Sequence, residues 1–358
     1  MSAVPVPESS PDRGAIWHYG DPLGEQRAAQ HDAVVVDRSH RGVITLSGPD
    51  RKTWLHSIST QHVADTVEGS CTENLSLDGQ GRVEDHWWQT ELGGVTYLDT
   101  ESWRAESLLA YLQKMVFWSD VSPAAAEFAV LSVIGPAAAG DSVLQALGVS
   151  ALPAESTAVS REGGGFVRRI GYADGGIELD ALVPRDQRDS VLQQLESAGV
   201  RRAGLWAYEA RRVAARRPRL GLDTDDRTIP HEVGWIGPAV HLDKGCYRGQ
   251  ETVARVHNLG RPPRMLVLVH LDGSGERPAA GDPLLADGRV VGRLGTVIDH
   301  VDDGPIALAL VKRGIPATTG LVTGGEHPVA AEIDPDSLAA EEKTGAGRLA
   351  VERLRGGG

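Results

Sequence analysis

Two copies of one strand and helix pattern, roughly 85 residues apart, constrain the fold of this chain more than any other feature. In each copy a strand ends at a Gly-Pro pair, a helix with an apolar stripe follows, two strands join at a Gly-Gly turn, and a second helix ends the copy. The strands are predicted at 42–47, 84–90 and 95–99, and again at 128–134, 166–170 and 177–183. This β-α-β-β-α order is typical of a ferredoxin-like unit, so the sequence predicts two such units.

The C-terminal third of the chain has a different texture. After Pro262-Pro263, short strands are predicted at 265–271, 290–298, 307–311 and 329–333, with glycine-containing turns between them. Short strands at close spacing indicate a small barrel or sandwich. We therefore predict an α+β fold with five segments. These are an N-terminal extension (1–30), two ferredoxin-like units (31–122 and 123–260), a C-terminal β-barrel (261–335) and a tail (336–358).

Composition excludes several classes of function. The net charge of −13 repels phosphate backbones, so direct nucleic-acid binding is not expected. No stretch approaches the roughly 20 apolar residues of a membrane span, and no signal peptide is evident. The chain has two cysteines, Cys71 and Cys246, which are too few for a disulfide framework and fit a reducing, cytoplasmic location.

The most unusual stretch is 243–251, which reads D-K-G-C-Y-R-G-Q-E. Its glycines allow sharp turns or close approach, and the residues after it predict a helix that ends at Gly260. Cys246 would thus lie just ahead of a helix N-terminus, with Lys244 and Arg248 nearby, and these surroundings favour a reactive thiolate. In the alternative interpretation, Cys246 is a small buried core residue. Acidic neighbours of Cys71 favour a structural role for that cysteine.

A metal site is the other chemistry considered for this region. His231, His241 and Cys246 lie within a short stretch, but their spacings match no closed metal motif. We therefore expect no permanent metal.

The segment K-G-C-Y-R-G-Q-E at 244–251 resembles the signature K-G-C-[YF]-x-G-Q-E of the YgfZ family. These proteins are relatives of the T-protein, the aminomethyltransferase of the glycine cleavage system. Arg212 with R-P-R-L-G at 217–221, and I-P-H-E at 229–232, resemble two further family elements. The resemblance implies a GcvT-like fold, in which two ferredoxin-like units surround a central folate-binding hole and a C-terminal β-barrel follows. It also implies tetrahydrofolate binding and support for the assembly or repair of iron–sulfur enzymes, including tRNA-modifying ones.

The resemblance also implies roles for particular residues. Residues 173–179 resemble the T-protein hairpin whose carboxylate holds the pterin ring, which points to Glu178. Residues 81–85 resemble the run that ends in the T-protein's catalytic aspartate, which points to Asp85. The full set comprises Cys246 and Asp85 as catalytic candidates, and Glu178, Arg212, Asp85, Lys244, Tyr247 and Gln250 as folate-binding candidates. Ala214 and Arg216 depart from the family pattern, as does Thr60-Gln61-His62, so the pocket is expected to differ in detail.

Three functions remain open at this point. The first is a folate-binding accessory protein that acts through Cys246, with iron–sulfur client proteins or assembly factors as partners. The second is a folate-dependent aminomethyltransferase or related one-carbon transferase. The third is a non-catalytic folate-binding module. No complete set of catalytic acid, base and nucleophile can be identified in the sequence, so we do not expect a classical enzyme.

Overall fold

The structure is a computed structural model that describes residues 2–173 and 175–338. By its internal contacts the chain divides into two units, the first made of the residues up to Leu75 together with Asp85–Arg211. The second is made of Ser76–Glu84 together with the chain from Arg212 onward. The five segments predicted from the sequence divide the chain differently and stay a prediction. Most of the predicted tail, 339–358, lies outside the described residues.

The first unit contains both copies of the repeat. Its strands, in chain order, are β1 (Val4–Pro5), β2 (Ile16–His18), β3 (Val34–Asp37), β4 (Gly42–Ser47), β5 (Cys71–Leu77), β6 (Val83–Leu92), β7 (Val95–Thr100), β8 (Ser122–Ala126), β9 (Phe128–Ile134), β10 (Ala158–Ser160), β11 (Phe166–Ile170), β12 (Glu178–Pro184) and β13 (Arg201–Ala203). Its helices are α1 (Pro22–His31), α2 (Arg51–Ile58), α3 (Ser102–Lys114), α4 (Asp141–Ala146), α5 (Arg188–Ser197) and α6 (Leu205–Ala214). Two short 3₁₀ segments lie at Pro136–Ala139 and Arg185–Gln187. The ends of β5 and α6 and the start of β6 extend into residues of the second unit.

The two copies of the repeat also have the same order of strands in space. The five-stranded sheet has the order β5-β6-β7-β4-β8, and the six-stranded sheet has the order β10-β11-β12-β9-β3-β13. The three strands predicted for each copy therefore lie in the same relative order, β6-β7-β4 in one and β11-β12-β9 in the other. In the six-stranded sheet, β13 runs parallel to β3, and the other four neighbouring pairs are antiparallel.

The paired Gly-Pro breaks have a common physical cause. Gly48 and Gly135 follow the first strand of each copy with φ values of 105° and 120°. A Cβ on Gly48 would lie 2.3 Å from the carbonyl oxygen of Asp120, and one on Gly135 would lie 2.2 Å from that of Asp32. Both positions therefore require glycine, which explains why the sequence repeats it.

Apolar side chains fill both faces of the sheets in the first unit. Trp87 of β6 packs with Trp54 of α2 and Leu108 of α3 on one side of the five-stranded sheet. A second cluster contains Val43 and Leu92 from the five-stranded sheet and Phe166 and Leu182 from the six-stranded sheet. The two sheets of this unit therefore share a buried interface.

The second unit is built around a closed barrel. Its helix α7 (Gln250–Leu259) and a 3₁₀ segment (Pro230–Val233) precede six strands, which are β14 (Arg264–Leu271), β15 (Pro283–Ala286), β16 (Arg289–His300), β17 (Gly304–Lys312), β18 (Leu321–Thr323) and β19 (Ala330–Ile333). The barrel closes in the order β14-β17-β16-β15-β18-β19. The prediction of a small barrel is therefore confirmed, although β15 and β18 were not predicted. None of the described helices combines the length and apolar character that crossing a bilayer requires.

Candidate functional site

Glu178 is a buried acid at the first position of β12. Its side chain is 1% exposed, so it is not an ordinary surface acid at a hairpin. The hydroxyl of Tyr172 donates a 2.7 Å hydrogen bond to its Oε2, and Nη1 of Arg38 lies 3.8 Å from its Oε1. A carboxylate with a neighbouring guanidinium and a hydroxyl donor is stabilised in its ionised, acceptor form. Asp174, in the same predicted hairpin, lies outside the described residues.

A second arginine approaches this carboxylate through Tyr172. The Cζ atom of Arg211, on α6, lies 4.0 Å from the centre of the Tyr172 ring, a distance typical of a cation–π contact. The Nε and Nη2 atoms of Arg211 are buried and have no hydrogen-bond partner. One tyrosine therefore contacts a carboxylate at its hydroxyl and a guanidinium at its face.

Buried charges support the strand that carries Glu178. Arg38 donates a 2.9 Å hydrogen bond to Ser132, and its Nη1 lies 3.4 Å from Asp180, two residues after Glu178. The guanidinium of Arg38 also stacks on the Tyr208 ring at 3.9 Å. Burial alone would raise the pKa of Asp180, but Arg168 and Arg38 lower it to about 2. Asp180 is therefore ionised near neutral pH.

Asp85 lies on the helix-facing side of β6. It is buried, and its Oδ1 accepts a 2.8 Å hydrogen bond from Nε of Arg104 on α3. Side chains alternate along a strand, so Asp85 shares this side with the core residue Trp87, while His86 and Trp88 lie on the opposite side. There, Nε2 of His86 lies 2.7 Å from the Glu73 carboxylate, and the Trp88 ring lies 5.2 Å from Cζ of Arg168. A catalytic role for Asp85 stays a prediction.

Arg212 is engaged within the second unit. It is 2% exposed, and its Nη1 lies 2.7 Å from Asp223 and 3.0 Å from the carbonyl oxygen of Arg217. Its other terminal nitrogen donates to the Thr296 hydroxyl on β16. These contacts hold the segment after α6 against the barrel. Folate binding by Arg212 stays a prediction.

Cys246 is exposed in a loop whose neighbouring side chains are buried. It precedes the first residue of α7 by four positions, as the sequence predicts, and its exposure rules out the buried-core alternative. Lys244 and Tyr247 on either side are buried, and the Lys244 amine lies 5.1 Å from the centre of the Tyr247 ring. The side chain of Gln250 donates a 3.3 Å hydrogen bond to the carbonyl oxygen of Lys244. Lys244, Tyr247 and Gln250 therefore shape the loop that presents the thiol.

The second glycine of this loop is required by close packing within the second unit. Gly249 has a φ of 85°, and a Cβ there would lie 2.7 Å from the carbonyl oxygen of Asp78 and 2.9 Å from Cα of Gly81. Arg248 extends the contact by a 2.9 Å ion pair with Glu84. A Cβ on Gly245, in contrast, would meet no atom within 4 Å, so packing does not require glycine there.

Burial alters two titratable groups beside the thiol. It lowers the pKa of Lys244 to about 8 and raises the pKa of Tyr247 to about 12. The Lys244 amine is therefore partly neutral just above neutral pH. Cys71 contrasts with Cys246, because burial raises the pKa of its thiol to about 11 and its sulfur lies 3.3 Å from the Thr90 hydroxyl.

The histidines considered as metal ligands do not form a cluster. His231 is largely buried, both of its ring nitrogens have no hydrogen-bond partner, and its ring lies 6.1 Å from that of His257. Burial and the neighbouring His257 lower the pKa of His231 to about 4. Within residues 2–173 and 175–338, no group of three or more His, Cys, Asp or Glu side chains could hold a metal ion.

Sequence reasoning missed Tyr172, Arg38 and Arg211. Tyr172 and Glu178 are only six residues apart, but Arg38 and Arg211 come from distant parts of the chain. No spacing or motif links these positions. The pairing of β3 with β9 and of β9 with β12 brings Arg38 to Glu178, and helix α6 brings Arg211 to Tyr172. Arg211 belongs to an arginine-rich stretch, which was the one available signal.

The family is shown by comparison with known proteins. The family described as the GCVT N-terminal domain matches residues 20–244, well over half of the chain, and the chain belongs to that family. The solved aminomethyltransferase T of the glycine cleavage system from Bartonella henselae has the same fold, with a TM-score of 0.80 and 20% identity. The match covers 91% of this chain and 92% of that one, which confirms the predicted GcvT-like fold class.

Three relatives are similar in sequence at 24–30% identity. An aminomethyltransferase from Chromobacterium violaceum is 30% identical over 234 residues, which span 61% of each protein. An aminomethyltransferase from Nostoc sp. is 29% identical over 80% of this chain and 79% of its own length. A putative chloroplastic transferase from Arabidopsis thaliana is 24% identical over 84% of this chain and 70% of its own length.

Proposed function

We propose that this protein is a tetrahydrofolate-binding accessory protein of the YgfZ type, which supports the assembly or repair of iron–sulfur enzymes through Cys246. The observation that carries the proposal is the exposed thiol of Cys246, held between the buried side chains of Lys244 and Tyr247. Family membership supports the folate part of the proposal. The segment K-G-C-Y-R-G-Q-E supports the iron–sulfur part.

The residues around Glu178 fit a pterin ring. A carboxylate can accept two hydrogen bonds from the amino group and ring N–H of a pterin, and Glu178 is buried where such bonds are strong. Arg211, which contacts the ring of Tyr172, has two nitrogens without a partner that can supply further donors. In the proposed complex Glu178 orients the ring, and Tyr172 and Arg38 hold Glu178 in place. Bound folate would supply one-carbon or redox chemistry of the pterin.

Titration of the purified protein with tetrahydrofolate tests the binding part. Glu178→Gln keeps the shape of the side chain but removes its charge, and is expected to weaken binding about 10- to 100-fold. Glu127→Gln is the matched control, because Glu127 is exposed and pairs only at the surface with Arg185. Equal affinity of the wild type and Glu178→Gln would show that Glu178 does not hold the pterin.

Complementation of a deletion strain tests the role of the thiol. Cys246→Ala and Cys246→Ser are expected to leave iron–sulfur enzyme activities at the level of the deletion. Cys71→Ala, a change at the buried cysteine, serves as the control and is expected to restore them wherever the variant accumulates normally. Full restoration by Cys246→Ala would contradict the proposal.

A second function is favoured by the relatives named aminomethyltransferase. On this alternative the protein transfers a one-carbon unit to tetrahydrofolate, with Asp85 as the catalytic candidate. Formation of methylenetetrahydrofolate by the purified protein from an aminomethylated lipoyl donor would support it. Loss of that activity in Asp85→Asn, with folate binding unchanged, would assign the chemistry to Asp85. A folate-binding protein with neither activity would be the non-catalytic module.

A further inference from the structure

We propose that Arg211 determines which pteridine the protein accepts, by donating to a hydrogen-bond acceptor adjacent to the donors that Glu178 holds. This inference rests on the proposed folate function and makes it specific. It predicts that the site recognises a ligand whose edge carries two hydrogen-bond donors followed by one acceptor. The 2-amino-4-oxo edge of a pterin has that order, with the 2-amino group, the ring N–H and the 4-oxo oxygen in a row.

Arg211 has buried hydrogen-bond donors that no protein acceptor satisfies. Two of its nitrogens, Nε and Nη2, are buried without a hydrogen-bond partner. Leaving the donors of a charged group buried and unpaired is unfavourable, so native proteins rarely do so without a ligand, water or function. The contact with the Tyr172 ring stabilises the charge but satisfies neither N–H group. An acceptor on a ligand would satisfy them.

Arg211 extends from α6 towards the surroundings of Glu178. Tyr208 and Arg211 are three residues apart on α6, so they share a face of the helix. Tyr208 contacts Arg38, which lies beside Glu178, and Arg211 contacts Tyr172, which donates to Glu178. Both side chains of this helical turn therefore reach the surroundings of the same carboxylate from α6.

Arg211 differs from the arginines near it, Arg38 and Arg212, in what its donors contact. Arg38 uses its Nη1 for Ser132 and the carboxylates of Asp180 and Glu178. Arg212 uses its donors for Asp223, the carbonyl of Arg217 and Thr296. Both are held by the protein's own acceptors, whereas Arg211 retains two buried donors for another molecule.

The chemistry of the two groups predicts discrimination at two adjacent positions of the ring, the 4-oxo oxygen and the ring N–H beside it. A carboxylate accepts and a guanidinium only donates, so the pair reads donors and an acceptor in a fixed order. An analogue that carries an amino group in place of the 4-oxo oxygen would direct an N–H donor at the donors of Arg211, and because its neighbouring ring nitrogen carries no proton it would also offer Glu178 one donor fewer. Sites built to hydrogen-bond a substrate reject analogues that leave their buried polar groups unpaired.

The experiment compares the affinities of tetrahydrofolate and its 4-amino-4-deoxy analogue at pH 8, by calorimetric titration of the full chain. The wild type is expected to prefer the 4-oxo compound by about tenfold or more. Arg211→Met is expected to reduce this preference about threefold or more, mainly by weakening the 4-oxo compound, and the preference that remains comes from the ring N–H that Glu178 accepts. Arg211→Lys keeps the charge without the planar guanidinium, so its preference for the 4-oxo compound is expected to lie between those of the wild type and Arg211→Met.

Arg202→Met is the matched control, because it removes the same charge from an arginine that pairs with Glu196 at the surface. It should leave the preference unchanged. Equal affinity of the wild type for both compounds, or a full preference retained by Arg211→Met and Arg211→Lys, would overturn the role of Arg211 while leaving folate binding intact. A wild type that binds neither compound would overturn the proposed folate function, and this inference with it.

Discussion

Nη2 of Arg168 lies 2.8 Å from the carboxylate of Asp180, and both side chains are almost completely buried. The other terminal nitrogen of Arg168 lies 2.5 Å from Asp99 on β7 of the five-stranded sheet. Asp180 belongs to β12 of the six-stranded sheet, so one guanidinium links the two sheets of the first unit. Asp180 lies two residues from Glu178 on the same strand, which connects this link to the candidate pterin site.

Arg168→Met is expected to destabilise the first unit by about 3–5 kcal/mol, because it leaves two buried carboxylates without their shared partner. Arg185→Met is the control, since Arg185 pairs with Glu127 at the surface, where such pairs contribute about 0–1 kcal/mol. Urea denaturation followed by tryptophan fluorescence measures both changes. A change for Arg168→Met no larger than that for Arg185→Met would contradict the structural link.

The same variant is expected to become more sensitive to acid. Burial would raise the pKa of Asp180, but Arg168 and Arg38 lower it to about 2, below its value of about 3.9 in an unfolded chain. A lowered carboxyl pKa stabilises the fold above about pH 4, and this contribution disappears as the pH falls towards 2. Without Arg168 the pKa of Asp180 rises, so the acid transition should move to higher pH. An unchanged acid midpoint would show that Arg168 does not control Asp180.

Gly249→Ala is expected to destabilise the loop that presents Cys246 by about 2–4 kcal/mol, from a left-handed backbone and a clash with the Asp78 carbonyl. Gly245→Ala, four residues earlier in the same loop, is the matched control, with an expected change within about 0.5 kcal/mol. Thermal denaturation measures stability, and the alkylation rate of Cys246 reports on the loop itself. Equal effects of the two substitutions would contradict the packing of Gly249.

The two cysteines are expected to react very differently in the folded protein. Iodoacetamide at pH 8 should modify the exposed Cys246, whereas Cys71 is buried and its pKa is raised to about 11. Mass spectrometry of tryptic peptides measures the modified fraction at each position over time. Cys246→Ser should abolish labelling until the protein is unfolded. Rapid labelling of Cys71 in the native protein would contradict the structure.

The sequence predicts best those features that local chemistry determines. The strands β4, β9 and β11 are predicted at their observed bounds, because apolar and β-branched residues end at Gly-Pro or turn residues. Strand β5 escapes prediction because the buried side chains Asn74 and Ser76 break its apolar pattern, and tertiary hydrogen bonds satisfy Asn74. Strand β8 reads S-P-A-A-A and forms because β4 offers it an edge to pair with.

The residues of the candidate site likewise differ in whether a local sequence pattern predicts them. Cys246 and Glu178 stand in short segments with recognisable patterns, and the structure places one in an exposed loop and buries the other. Arg211 and Tyr172 come into contact only when α6 packs beside the loop before β12, and no local sequence pattern predicts such a tertiary contact. Arg212 has the motif match, yet Asp223 and Thr296 already hold it.

Lys244→Met is expected to stabilise the protein at neutral pH, and the gain should shrink as the pH rises. Burial lowers the pKa of Lys244 to about 8, below its value of about 10.4 in an unfolded chain. Between these values the unfolded chain binds more protons, so the stability of the wild type rises with pH. Methionine carries no charge and removes this dependence, while keeping a long apolar side chain beside Tyr247.

Because the pKa of Tyr247 is raised to about 12, denaturation midpoints are compared from pH 6.5 to 9.5, below the range where that tyrosine affects stability. A stability difference between wild type and Lys244→Met that stays constant across this range would show that the Lys244 amine remains fully charged in the folded loop.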